Sequence, residues 1–419
     1  MKLLAALATL LVLVSAEKVR YDNYRVYRLT PKDYKAVEAL KQLEDAGIAE
    51  YSFWTSVVGV GAAADVMVAP AEFDELEEMV AGLDIDSTVM IENVQTLIDN
   101  EGFRPASRAG VFDFDSYHTV EEYNDFLRSL VVRFPSTVTL IQAGWSYEGR
   151  PILGVKVSFS PANANNGIFL ESNMHAREWI AGAVNAYILN ELLTSHDPAV
   201  RHLAETHDWY IFPIANPDGY VFSYTSTRMW RKTRVPYSML GITCFGADPN
   251  RNWPFRWNTG GSSSLACSDT YMGPSPWSEP STRGLGEFIS TIAPSLVGYI
   301  SIHSYSQMLL LPYGHTSAQL DNYNETYAIG VSAARSLARR YGTQYTIGNI
   351  PELLYVASGS SMDWVKGNFG TPIAYTYELR DTGRFGFLLP AEQIRPTGEE
   401  TLDSLVTIFE EYDKIRNAN

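Results

Sequence analysis

Short hydrophobic runs alternate with amphipathic stretches in the first hundred residues, after an apolar start. Alternating positions predict strands at residues 24–29, 51–58, 65–68 and 87–91, and helical spacing predicts helices at 31–46 and 71–83. The order βαββαβ is typical of a small α+β sandwich with ferredoxin-like topology. We therefore expect a separate module over residues 17–108.

Strongly apolar runs continue through the rest of the chain, with helical patterns between many of them. The runs lie at residues 137–141, 152–157, 167–170, 209–214, 297–302 and 372–377. Helices are predicted at 179–193, 282–291, 322–341 and 396–415, and a capping box at Thr119 and Glu122 opens another. Near-continuous hydrophobic strands separated by helices predict one α/β domain over residues 109–419, with a mixed, largely parallel sheet covered by helices on both faces.

The start of the chain, residues 1–16, has the features of a secretory signal peptide. One lysine precedes an apolar run from Leu3 to Val14, and small residues at Ser15 and Ala16 suit cleavage. A membrane anchor or a core helix is the alternative, but a bilayer requires about 20 apolar residues and no later segment supplies them. We predict a secreted, extracellular protein without a membrane span.

A polar stretch separates the two predicted domains. Residues 100–114 contain Gly, Pro, Ser and the arginines Arg104 and Arg108, and they show little apolar periodicity. Such a stretch is typical of an exposed linker that a protease can cut.

Composition narrows the class of protein. With 46% hydrophobic and 19% charged residues the chain is globular, and a net charge of −16 without a basic run argues against nucleic-acid binding. Residues 17–108 hold nine basic and eighteen acidic residues, which leaves a solvated surface and a charge-matched docking role open. The glycine-rich segment 59–64 leads into another strand, which favours a hairpin loop over a dinucleotide site.

Cys244 and Cys267 are the two cysteines of the chain. In an oxidising compartment such a pair tends to close, so we expect one disulfide that clamps a surface loop. Metal ligation is the alternative, but two cysteines without neighbouring His or Cys do not resemble a structural zinc site. A sequon at Asn324 leaves glycosylation open.

Polar residues follow several predicted strands at the ends where α/β folds gather their ligands. The i, i+3 spacing of His175 and Glu178 lets both side chains reach one ion, and His303 would be a third ligand. A helix-surface pair explains His175 and Glu178 alone, but three N/O ligands with a position left to water are typical of a catalytic zinc. Glu378 then fits a general base for that water, with a structural pair to a nearby arginine as the alternative.

Two arginines stand in polar loop segments, Arg231 within WRK and Arg251 within NRN. A guanidinium can bind a carboxylate through two hydrogen bonds or stabilise an oxyanion. Taken alone, either arginine is more typical of the protein surface than of a binding site. The cysteines bracket the second segment, so their bond would hold these donors in place.

Together these motifs closely resemble the secreted zinc metallocarboxypeptidases of the pancreatic carboxypeptidase A and B type. The resemblance begins near Tyr117, and 124 residues separate Glu178 from His303, as that family requires. The signal peptide and acidic module also resemble the family's zymogen layout. The motifs are HAREW at His175, NPDG at Asn216, WRKTR at Trp230, DPNRNW at Asp248, SIHSYSQ at Ser301, LYVASGSSMDW at Leu354 and YELRDTGRFGF at Tyr377.

The resemblance implies an exopeptidase that acts on the C-termini of peptides and proteins. It implies one Zn²⁺ per chain, held by His175, Glu178 and His303, with Glu378 as the general acid/base. Arg231 would polarise the carbonyl of the scissile bond.

The resemblance also implies how the substrate's free carboxylate is bound. Asn250, Arg251 and Tyr355 would hold it, and Arg177 would assist as it arrives. Asp248 would orient the first histidine ligand.

The resemblance also implies how the enzyme is activated and that it acts as a single chain. A trypsin-like protease would release the N-terminal module by cutting near Arg108, with Arg104 as a second site. The enzyme is expected to be a monomer.

Specificity depends on the residue at the floor of the pocket for the C-terminal side chain. In this family an acidic floor residue selects Lys or Arg, and the matching residue here is Met362. A buried lysine would lack a counter-charge there, so we predict an A-like preference for aliphatic or aromatic residues. Ile350, Leu354 and Thr376 match other pocket positions. Ser360 replaces a glycine of the pancreatic A form, which leaves aliphatic against aromatic preference open.

Three other classes of protein fit less well. A catalytically silent relative that binds peptide C-termini would be expected to lack a ligand or the base, and the motifs retain both. A serine hydrolase is disfavoured because the chain has no G-x-S-x-G motif. The third class is an esterase or amidase on the same scaffold. Assays of one panel of substrates would distinguish it from a peptidase.

Overall fold

The N-terminal module is a four-stranded antiparallel sheet with helices on it. The computed structural model describes residues 18–103, 112–239 and 241–418, so the predicted signal peptide, Arg104 and Arg108 lie outside the described residues. The sheet order β2-β3-β1-β4 confirms the ferredoxin-like topology. The elements are β1 (Arg25–Pro31), α1 (Tyr34–Ala46), β2 (Tyr51–Phe53), β3 (Ala64–Val68), α2 (Phe73–Gly82), β4 (Ile85–Ile91) and α3 (Val94–Asn100).

Local sequence signals account for most of this module. Asp33 begins α1 by accepting a hydrogen bond from the N–H of Ala36, and Gly47 ends the helix in a left-handed conformation. The strand predicted at 51–58 is wrong in length, because β2 ends at Phe53 and Trp54 instead packs its ring against Phe387 of the large domain. Segment 59–64 is mostly loop, as predicted, and α3 was not predicted.

The large domain is an α/β fold whose eight-stranded sheet has the order β13-β12-β14-β11-β7-β8-β6-β5. Four of its pairings are parallel, namely β14–β11, β11–β7, β7–β8 and β12–β13. The pairings β12–β14, β8–β6 and β6–β5 are antiparallel. The strands are β5 (Val138–Trp145), β6 (Pro151–Val157), β7 (Gly167–Ser172), β8 (Asp208–Phe212), β9 (Pro236–Met239), β10 (Ile242–Phe245), β11 (Leu296–Ser304), β12 (Met308–Leu311), β13 (Thr346–Asn349) and β14 (Ile373–Leu379). The helices are α4 (Val120–Arg133), α5 (Trp179–Thr194), α6 (Pro198–Thr206), α7 (Pro217–Thr225), α8 (Pro280–Ile292), α9 (Tyr323–Tyr341), α10 (Ile350–Leu353), α11 (Ser361–Phe369) and α12 (Ile394–Ala418).

The sheet separates two hydrophobic cores, one on each face. Alternate residues of β7 show this, because Ile168 and Leu170 belong to one core and Phe169 to the other. All nine residues of β11 are buried, as expected for a strand covered by helices on both faces. The predicted capping box of α4 is present, with Thr119 and Glu122 each accepting from the other's backbone N–H. No helix among the described residues has the length and apolar character of a membrane span.

The module and the large domain share a buried salt bridge. Glu101, just after α3, accepts two hydrogen bonds from the guanidinium of Arg228, one of them 2.7 Å long from Nε. Both side chains are almost fully buried, and the guanidinium carbon lies 3.6 Å from the ring centroid of Trp179. Because neither charge is solvated by water, removal of one partner would leave the other as an uncompensated buried charge.

We expect Glu101→Ala to lower the free energy of unfolding of the precursor by about 3–5 kcal/mol, because Arg228 would keep a buried charge without its partner. The matched control is Glu92→Ala, since Glu92 is 75% exposed and pairs with Arg25 at 3.2 Å. The free energy of unfolding of Glu92→Ala should stay within about 1 kcal/mol of the wild-type value. Chemical denaturation followed by tryptophan fluorescence measures both, and equal losses would contradict the prediction.

Candidate active site

Three candidate ligands meet at the carboxyl ends of β7 and β11. His175 follows β7, Glu178 directly precedes α5, and His303 is the penultimate residue of β11. Nδ1 of His175 lies 2.8 Å from Oε1 of Glu178, Nδ1 of His303 lies 2.9 Å from Oε2 of the same carboxylate, and the two nitrogens are 3.1 Å apart. All three side chains are buried, and their donor atoms lie within 4.8 Å of one another.

The chemistry of this cluster suits a zinc ion. Burial opposes the charge of Glu178, but the imidazoles of His175 and His303 outweigh it and hold the pKa of this carboxyl well below its usual range. Burial likewise opposes protonation of His303, yet the charge of Glu178 raises its pKa to about 9. The cluster therefore attracts positive charge, which a divalent cation supplies as it displaces the imidazole protons. Two nitrogens and one carboxylate oxygen are ligands that zinc prefers.

A buried carboxylate connects the first histidine to an arginine. Oδ1 of Asp248 lies 3.0 Å from Nε2 of His175, and Oδ2 accepts hydrogen bonds of 2.7 and 3.1 Å from Arg231. Burial opposes ionisation of Asp248, but Arg231 and His175 keep its pKa well below the usual value. This arrangement fixes the orientation of the imidazole and of the guanidinium together.

Glu378 stands beside the cluster on the neighbouring strand. In the parallel pairing of β11 and β14 it lies opposite His303, and its side chain lines the cavity described below. Burial, together with the charge of Glu178, raises the pKa of the Glu378 carboxyl to about 8. Its carboxyl group is partly exposed at the cavity, where it can accept and donate a proton near neutral pH, as an acid/base group requires.

The predicted carboxylate-binding residues also come together. Nη2 of Arg251 donates to the hydroxyl of Tyr355 at 3.2 Å, and Nε donates to the carbonyl of Gly261 at 2.9 Å. The backbone N–H of Ser361 donates to the side-chain oxygen of Asn250 at 3.0 Å. At Gly261, with φ +67°, a Cβ would lie 1.5 Å from the carbonyl oxygen of Val356, so this approach requires glycine.

Cys244 and Cys267 form the expected disulfide, with Cα atoms 5.1 Å apart. Cys244 belongs to the hairpin of β9 and β10, and Cys267 to the loop that follows the carboxylate-binding segment. The bond therefore joins two segments that flank the site, and metal ligation by this pair does not occur.

A cavity of about 880 Å³ lies over the site. Ile350, Leu354 and Thr376 line it, as does Ser360, which caps α11. Met362 does not line the cavity: it is 1% exposed, and its sulfur lies 3.4 Å from the hydroxyl of Thr376. The residue expected at the pocket floor therefore lies behind Thr376.

Tyr305 and Asp65 line the cavity and were not among the predicted site residues. Tyr305, two positions beyond His303, donates its hydroxyl to Asp65 of the N-terminal module at 2.7 Å. Arg177, which was predicted to assist the substrate's carboxylate, also lines the cavity: it is buried over the ring of Phe387 and contacts Asp269 at 3.3 Å. The position of Tyr305 just past a ligand strand is the signal that could have identified it, whereas contacts from Asp65 depend on docking of the module and leave no local pattern.

Comparisons with known proteins agree on one family. The sequence pattern of zinc carboxypeptidases matches residues 123–404, and that of the carboxypeptidase activation peptide matches residues 27–101. Zinc carboxypeptidase A 1 of Anopheles gambiae is 46% identical over 415 residues, which cover 97% of this chain and 94% of the relative. Carboxypeptidase A2 of Rattus norvegicus is 38% identical and covers 98% of each chain.

A solved structure gives the same result. The crystal structure of the carboxypeptidase A from Helicoverpa armigera superimposes with a TM-score of 0.83 at 29% identity, over 94% of this chain and 98% of that chain. The relatives and the solved structure match over 94–98% of this chain, which spans both the activation-peptide region and the zinc domain. This chain is a member of the zinc carboxypeptidase family, a metallocarboxypeptidase made with its activation peptide.

Proposed function

We propose that this chain is the secreted precursor of an exopeptidase that removes apolar C-terminal residues. One zinc ion per chain would be held by His175, Glu178 and His303. The observation that carries this proposal is the convergence of two imidazoles and a carboxylate at 2.8–3.1 Å, beside Glu378 and at the edge of one cavity.

The terminal carboxylate of the substrate selects which bond is cleaved. Arg251 and Tyr355 already contact each other, and Asn250 stands next in the chain, so the three can bind one carboxylate at the cavity wall. Arg177, which lines the same cavity, would assist entry. Binding of the chain end places the last peptide bond near the ligand cluster, which makes the action exopeptidic.

The remaining groups act on that peptide bond. Zinc, when bound, supplies Lewis-acid polarisation of the carbonyl and lowers the pKa of water. Glu378 accepts a proton from the attacking water and returns it to the leaving amine. Arg231, held in place by Asp248, stabilises the negative charge that develops on the carbonyl oxygen.

We expect Glu378→Gln to lower kcat by about 10²–10⁴-fold, because the amide cannot take the proton from water. Zinc content should remain near that of the wild type, since Glu378 is not a proposed ligand. His303→Ala is the contrasting variant and should lose both zinc and activity. Hydrolysis of an acyl-dipeptide ending in Phe or Leu, with metal analysis of the same samples, measures this. Near-normal turnover in Glu378→Gln would contradict the proposed base.

Uncharged residues at the expected position of the substrate's side chain support the substrate preference. Ile350, Leu354 and Thr376 line this part of the cavity, and the residue packed behind Thr376 is Met362, which carries no counter-charge for a lysine. Transfer of an uncompensated ammonium group into such surroundings is unfavourable. Aliphatic or aromatic C-terminal residues are therefore the proposed substrates.

We expect Met362→Asp to raise the removal of C-terminal Lys relative to Leu, because a carboxylate behind Thr376 would supply the missing counter-charge. Met362→Leu, similar in volume and uncharged, is the control and should keep the apolar preference. Mass spectrometry of a peptide library with C-terminal Leu, Phe, Lys and Glu gives the ratios. Dominant removal of Lys by the wild-type enzyme would overturn this assignment.

The activation module stands over the site in the precursor. Asp65 accepts a hydrogen bond from Tyr305 and two of 2.7 Å from Arg28, and Trp54 packs against both Tyr305 and Phe387. These contacts support a position of the module across the approach of a peptide chain. Cleavage near Arg108, or at Arg104, would release it.

Treatment of the purified precursor with a trypsin-like protease should increase hydrolysis of peptide substrates. A variant with Arg104→Ala and Arg108→Ala should resist this treatment, because the protease needs a basic residue at the cut. Activity assays paired with sequencing of the new N-terminus identify the site. Full activity before any cleavage would defeat the proposed latency.

A further inference from the structure

Glu279 is a buried carboxylate outside the proposed catalytic set. It directly precedes α8, but its side chain makes no capping hydrogen bond to that helix. It accepts hydrogen bonds instead from the hydroxyls of Thr233 and Tyr237, and from Ser278 at 3.0 Å. Its exposure is 0%. Three hydroxyl groups, two from the segment 233–237 and one from the neighbouring Ser278, therefore converge on this single side chain.

The first of these contacts leads to Arg231. Thr233 stands two residues further along the chain, and its hydroxyl accepts a 2.9 Å hydrogen bond from the N–H of Ala247. The backbone N–H of Thr233 donates to the carbonyl of Ala247 at 3.1 Å. Because Ala247 directly precedes Asp248, Thr233 joins the Arg231 loop to the carboxylate that holds Arg231.

A second path leads to the carboxylate-binding arm. The backbone N–H of Glu279 donates to the side-chain oxygen of Asn252 at 3.1 Å, and Asn252 directly follows Arg251. The amide nitrogen of Asn252 donates to the hydroxyl of Ser278 at 2.9 Å. A Cβ at Gly273 would lie 2.3 Å from that hydroxyl oxygen, so the contacts around this path are close.

Burial of a carboxylate costs free energy that its hydrogen bonds must offset, and an apolar residue would fill the same space without that cost. The hydrogen bonds of Glu279 therefore call for a role beyond packing. We infer that Glu279 is a positioning residue that sets the spacing between Arg231 and the Asn250–Arg251 arm. It thereby sets the distance between the group that stabilises the oxyanion and the groups that bind the terminal carboxylate. This inference rests on the roles proposed above for those residues.

The test compares Glu279→Ala with Glu287→Ala in the activated enzyme. Glu287 is an exposed residue of the same helix, so its loss should leave kinetics unchanged. Glu279→Ala should lower kcat/KM by about 10–100-fold, through a lower kcat and a higher KM, because both arms lose their alignment. Zinc content should remain normal. Glu279→Gln, which keeps one acceptor oxygen, should recover part of the loss.

A double-variant experiment separates positioning from a general structural effect. If Glu279 acts through Arg231, then adding Glu279→Ala to an Arg231→Ala enzyme should lower kcat by less than about 3-fold further, since coupled residues are not additive. Equal, additive losses in both backgrounds would overturn the inference, as would unchanged kinetics in Glu279→Ala. Where Glu279→Ala fails to fold, Thr233→Val replaces it in the same cycle. A wild-type enzyme that hydrolyses no peptide would instead refute the proposed function.

Discussion

The buried carboxylate of Glu178 imposes the main constraint on this site. A negative charge that is 2% exposed requires positive partners, and its partners here are the two imidazoles at 2.8 and 2.9 Å. A divalent cation among the same three side chains would supply that positive charge while the imidazoles act as neutral ligands. The cost of leaving this carboxylate unpaired explains why the ends of two strands and the start of α5 must meet with little freedom.

The network of polar contacts around Glu178 extends beyond the proposed ligands. Glu178 contacts His175, His175 contacts Asp248, and Asp248 binds Arg231, so these side chains form one continuous polar network in the buried layer. The charge of Arg231 stabilises the ionised form of Asp248. As a result the proposed oxyanion group and the first ligand share one carboxylate, and displacement of either would disturb the other.

Much of this arrangement follows from patterns that a sequence carries locally. Continuous apolar runs identified the central strands, and the spacing of His175 and Glu178, together with His303 and Glu378 at equivalent strand ends, located the site. The family resemblance was needed to assign Arg231. The helix α11 was not predicted, because many of its residues are buried and leave little polar face for a periodic pattern. Strands β12 and β13 are only four residues long, too short for a clear signal.

Long-range packing sets the features that the sequence did not predict. Met362 stands at the expected position in its motif, yet its place behind Thr376 depends on how α11 packs against β14. The contact between Asp65 and Tyr305 joins residues 240 positions apart and requires the activation module to be docked. Under the proposed activation, release of the module would free the Tyr305 hydroxyl that donates to Asp65. The wall of the cavity would then offer a substrate a different set of hydrogen-bonding groups from the set in the precursor.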